Sequence, residues 1–150
     1  MSIFSKLFSK PKKITRHIDG LGEFVFFNDE EDSYWEVEQP LLNLPAGFDF
    51  GAIEGNVDSI DSGAINEFIV IAQDPDKLFD MLGSSFLTKV EAHFDELTLV
   101  TVRNEFYIKS LTIRNKLEYE FGLRSRSKDI FVELFVRNGR VSEVHLDEGC

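Results

Sequence analysis

Each of the three histidines stands two residues before an aspartate, in His17-Ile18-Asp19, His93-Phe94-Asp95 and His145-Leu146-Asp147. On a strand, a separation of two puts both side chains on one face. A carboxylate there can orient an imidazole for proton transfer or join it on a metal ion. His93 weakens the pattern, because it falls at the end of an expected helix, where residues two apart point to different sides. The pairs therefore read first as independent surface or rim histidines. A small-ligand or metal-binding protein, or an enzyme, with one His-Asp pair at a pocket rim is the alternative.

The acid clusters Asp29 to Asp32, Asp58 to Asp61 and Asp74 to Asp76 invite a calcium reading. An EF-hand loop needs alternating oxygen ligands, glycine at its sixth position and a bidentate glutamate at its twelfth, and no cluster has that spacing. A solvated turn accounts for Asp29, Glu30, Glu31 and Asp32. Nucleophile chemistry has no foothold either: there is no G-x-S-x-G, H-E-x-x-H or C-x-x-C motif, and the one cysteine is Cys150 at the chain end. Gly20-Leu21-Gly22 lacks the third glycine of a dinucleotide fingerprint. The basic run Arg124-Ser125-Arg126-Ser127-Lys128 has the donors to hold a phosphate, and reads equally well as a solvated loop. No motif calls for a cofactor, and the sequence points away from catalysis.

Charge is the stronger signal. The net charge is −11, and no lysine or arginine occurs from His17 to Asp76. Residues 1 to 17 carry five bases and no acid, residues 18 to 98 carry 19 acids against Lys77 and Lys89, and the remainder is nearly balanced. Such a field repels phosphate backbones, so nucleic acid is not an expected partner and a basic protein is. A single cysteine fits a reducing cytoplasm, the expected location. No apolar run reaches the roughly 18 residues of a membrane span, and Lys6 and Lys10 interrupt what would be the core of a signal peptide.

The elements that must position these residues can be read from periodicity. Residues 1 to 13 form a mobile basic segment in which Ile3, Phe4, Leu7 and Phe8 share one face if it is helical. The acid-rich body opposes stable anchoring on anionic lipid. The segment is instead expected to dock on an acidic protein surface, of this chain, a second copy or another protein, with a membrane-peripheral adaptor as a further alternative. Residues 14 to 150 are expected to form one domain.

Gly22 to Asn28 and Ser33 to Gln39 flank the acidic tetrad as a hairpin, with Trp35 and Val37 inward and Tyr34, Glu36 and Glu38 outward. A short strand is expected near Phe48 to Glu54, and the β-branched run Ile65 to Gln73 reads as the next strand. Asp74-Pro75 reads as a helix start, followed by Leu78, Leu82, Phe86 and Val90 at fourfold spacing, with a break at Gly83. Strand periodicity returns at Leu97-Thr98-Leu99-Val100-Thr101-Val102 and continues to the C-terminus. Asn138-Gly139 is a strong hairpin signal, and a two-residue turn there pairs Val136 with Val141, Leu134 with Glu143 and Val132 with His145.

The resulting expectation is an α+β fold. It has a mainly antiparallel sheet, curved or in two layers, one central helical segment at about 75 to 94 and a short N-terminal amphipathic helix. Function is expected to be non-enzymatic: an acidic interaction domain, in its most concrete form a bacterial immunity-type inhibitor that covers a basic protein. The expected contact residues are Asp29, Glu30, Glu31, Asp32, Tyr34, Glu36 and Glu38.

Overall fold

Eight strands follow one another across a single sheet in sequence order: β1 (Thr15–Ile18), β2 (Gly22–Asn28), β3 (Ser33–Val37), β4 (Phe50–Glu54), β5 (Phe106–Asn115), β6 (Glu118–Ser125), β7 (Ile130–Arg137) and β8 (Arg140–Glu148). The computed structural model describes residues 13–28, 32–37 and 50–148. The expected N-terminal helix, with Ile3, Phe4, Leu7 and Phe8, lies outside the described residues, as do Asp29, Glu30, Glu31, Glu38 and Cys150.

All neighbouring strands pair antiparallel except β4 and β5, which are parallel. The sheet is thus mainly antiparallel, as expected, with one parallel junction that needs a long crossover. Residues 55 to 105 make the crossover, and they carry the helices: α1 (Ser62–Gln73), α2 (Asp76–Asp80), α3 (Ser84–Val90), a 3-10 turn (Glu91–His93) and α4 (Val102–Glu105). The sheet is one layer, with helices on one face.

The expected strand at 65 to 73 is therefore wrong, because it is the body of α1. Its β-branched residues suggested extended chain, but its buried positions Ala64, Glu67, Phe68 and Ile71 fall at i, i+3, i+4 and i+7, the spacing of one helix face. The side chain of Asp61 accepts from the Ala64 N–H at 2.9 Å and caps the helix. Asp74, expected to cap the next helix, instead ends α1. No side chain caps α2, which begins after Pro75. Gly83 does divide the segment, standing immediately before α3.

Leu97 to Val102 is also not a strand. Thr98 and Thr101 hydrogen-bond each other's backbone N–H groups with their hydroxyls at 3.0 and 3.2 Å, closing a turn instead of a ladder. Val100 is left 84% exposed, so no alternating face forms there.

At the other end, Asn138 and Gly139 take positive φ as a tight turn requires, and Val136 pairs with Val141 as expected. A bulge between Phe135 and Val136 then shifts the register by one, so that Leu134 faces Val144 and Val132 faces Leu146. The expected pairings with Glu143 and His145 are corrected for a physical reason. Without the bulge these two polar side chains would point into the core in place of Val144 and Leu146.

One core cluster joins the inward residues of the sheet to the helices. Phe24, Phe68, Phe86, Phe106 and Phe121 are fully buried, and edge-to-face contacts link Phe24 with Phe68 and Phe86 with Phe106 at 6.1 and 5.6 Å. Among the described residues no helix is long and apolar enough to cross a membrane.

Candidate functional site

The sheet face turned away from the helices follows from strand alternation. Register aligns Thr15, Val25, Glu36, Ala52, Thr112, Glu120, Phe135 and Glu143 in one row across all eight strands. In the adjacent row Phe27 faces Tyr34 and Tyr34 faces Glu54, and the two rings stack at 5.7 Å. Their inward neighbours, Phe24, Trp35, Ile53, Ile113 and Phe121, are fully buried. Burial of one set thus fixes the direction of the other.

Ala52 and Thr112 are short, and between the longer chains of Tyr34, Glu54, Arg114 and Glu120 they floor a cleft of about 280 Å³ that Asp32 and Ser33 complete. Glu36 and Glu120 stand on either side of that floor, three strand spacings or about 14 Å apart. Arg114 Nε pairs with Glu54 Oε2 at 3.0 Å. Among the described residues it is the one cation lining the cleft, against Asp32, Glu54 and Glu120.

The carboxylates feel this crowding. Burial raises the pKa of Glu120 above its ordinary value, and the charges of Glu133, Glu54 and Asp32 push the same way, while Arg114 opposes them. Burial alone raises that of Glu36. Half-buried acids that outnumber the cations among the described residues favour an incoming positive group. An arginine or lysine side chain would find carboxylates on several sides, the Thr112 hydroxyl on the floor and the Tyr34 ring as a wall.

Of the contact residues expected from sequence, Asp32, Tyr34 and Glu36 lie on this face. Glu54, Thr112, Arg114 and Glu120 belong with them and were missed. The period-two pattern of β6 does put Glu120 on the wet side. What brings it opposite β3 is the insertion of β4 beside β5 across a 51-residue crossover, which no local spacing encodes.

The histidines are dispersed, and their carboxylate partners are mainly glutamates. His17 Nδ1 lies 2.7 Å from Glu23 Oε1, with Asp19 farther at 3.4 Å. His93 Nε2 lies 2.8 Å from Glu148, and His145 Nε2 lies 3.1 Å from Glu143 while its ring meets Phe135 edge-on. Among the described residues no group of three or more His, Cys, Asp or Glu side chains is placed to hold a metal ion. No histidine lines the acidic cleft.

Comparison with known proteins gives no match to a family model, to a curated protein or to a solved structure.

Proposed function

We propose that this chain is a non-enzymatic interaction domain whose helix-free sheet face receives a basic protein surface. The observation that carries the reading is the placement of Glu36, Glu54 and Glu120 on one strand-built face, two of them half-buried with raised pKa, with Arg114 the single cation of the cleft among the described residues. Carboxylates crowded this way cost stability when ionised, and a cationic partner offsets that cost. The stacked Phe27–Tyr34 pair beside the cleft supplies apolar contact area of the kind that anchors protein interfaces. An immunity-type inhibitor that neutralises a basic toxin or nuclease, with its approach steered by charge, is the specific form of this reading.

A fluorescent hexa-arginine peptide provides a defined probe, followed by anisotropy at low and high salt. The triple variant Glu36→Gln, Glu54→Gln, Glu120→Gln should weaken binding by at least about tenfold, since it removes three charge-assisted contacts. A triple variant with the same charge change at Glu91, Asp95 and Glu96, exposed residues of the crossover and not of that sheet face, should weaken it far less. Equal losses in the two variants would show that bulk charge alone attracts the peptide, and the reading would be abandoned.

A further inference from the structure

The run Arg124 to Lys128 holds three cations and no acid in a chain of net charge −11, and the structure places it at the end of β6 and in the loop to β7. Ser125 is buried and serves as the pivot. Its hydroxyl donates to Glu105 Oε1 at 2.7 Å and accepts from the backbone N–H groups of Lys128 and Ser127 at 3.0 and 3.3 Å. The Ser127 hydroxyl donates to the same Glu105 oxygen, and the Arg126 N–H donates to the Glu105 carbonyl at 2.7 Å. Burial alone would raise the pKa of Glu105. The hydrogen bonds from Ser127 and Ser125 and the charge of Lys128 outweigh it and hold that carboxyl below its ordinary value, so it stays ionised as a brace.

The braced loop orients its cations differently. Lys128, exposed, donates to the His93 carbonyl and lies 4.9 Å from the Phe94 ring centre. Arg126 lies over Tyr107 with its guanidinium carbon 5.2 Å from the ring centre, and it has no ion-pair partner among the described residues. Arg124 sits directly opposite Tyr107 in the β5–β6 register and is steadied by one hydrogen bond to Asp129 at 3.0 Å, which occupies one of its five donors. Both arginines thus line, with Tyr107, an open depression of about 530 Å³ completed by Asp129 and residues 125, 127 and 128.

We propose that this depression binds a compact oxyanion of high charge, a diphosphate group carried on a small molecule, bridged between Arg124 and Arg126. Planar donor forks suit adjacent phosphoryl oxygens, and a guanidinium already held against an aromatic ring loses little freedom on binding. The site uses none of the acidic cleft's residues, so it stands or falls independently of the proposed basic partner.

Inorganic pyrophosphate is the probe, titrated against the whole chain at constant ionic strength while calorimetry and the arginine Nε–H resonances are followed. Saturable binding should occur, tighter than that of inorganic phosphate, and be weakened at least about tenfold by Arg124→Gln or Arg126→Gln. Arg137→Gln and Arg140→Gln, which remove bases at the β7–β8 turn, should leave it unchanged. Unaltered Trp35 emission in each variant would confirm that the fold is retained. Non-saturating shifts, or a loss as large in Arg137→Gln as in Arg126→Gln, would overturn the assignment.

Discussion

At Glu120 burial and three other acids, Glu133, Glu54 and Asp32, all favour the protonated carboxyl, against the single pull of Arg114. A pKa raised by folding means that the folded chain binds this proton more tightly than the unfolded chain does. The group's stabilising contribution is therefore present below the unfolded value of about 4.5 and is lost as pH rises through the folded one. At neutral pH the ionised carboxylate works against the fold. Glu120→Gln, which fixes a neutral group of the same shape, should raise the thermal midpoint at pH 7 by about 1–2 °C, for a gain on the order of 0.5 kcal/mol. That advantage should shrink to nothing as pH falls below about 4.5, where the native carboxyl is itself neutral. A midpoint difference that did not vary with pH would mean that the side chain acts through packing and not through its charge. The same residue should be needed for binding the basic probe, so stability and binding are expected to change in opposite directions. Sequence alone made half of this site legible. Tyr34 and Glu36 follow from the alternation around Trp35, whereas Glu54 and Glu120 are carried to them by long-range pairing.

On the scale of single elements, Gly122 leaves room on β6 for side chains of both neighbouring strands. A Cβ at that position would come within 2.6 Å of the Phe131 ring and 2.5 Å of Ser110 Oγ, contacts no native side chain tolerates. Gly122→Ala must push aside an aromatic ring on β7 and a hydroxyl on β5, at a cost of about 1–3 kcal/mol, which lowers the thermal midpoint by roughly 3–10 °C. An unchanged midpoint in differential scanning calorimetry would show that Phe131 rotates away freely and that the strands are less tightly set than their register implies. Strands β3 and β7, whose buried residues alternate with more exposed ones, are legible in the sequence for that reason. Helix α1 is not, because Ile65, Ile69, Val70 and Ile71 carry strand propensity and the tertiary contact of Ala64, Phe68 and Ile71 overrides it. The bulge in the last hairpin is hidden for a related reason. The turn dipeptide sets the first pair, but the demand that Val144 and Leu146 reach the core sets all those after it.

Across the whole molecule, four helices of 12, 5, 7 and 4 residues sit in a crossover between parallel strands, and all but the first are too short to persist without the sheet. Their apolar residues, Phe68, Ile71, Leu78, Phe86, Val90 and Val102, belong to the same core cluster as the inward face of the strands. The sheet needs the helices equally, since without them Ile53, Leu111, Ile113 and Phe121 would face water. Trp35, the one tryptophan, stands at the junction: it is buried on β3 and its indole N–H donates to the Asn56 carbonyl at 3.0 Å, where the crossover leaves β4. Its emission therefore reports the sheet and the first residues of the crossover together, while far-ultraviolet circular dichroism at 222 nm weights the helices. In a urea titration the two signals should trace one transition with a common midpoint, because neither layer keeps a buried face without the other. A helical signal lost at lower urea than the tryptophan shift would show that the crossover unfolds as a separate unit, and the shared core would then not be the source of the fold's cooperativity.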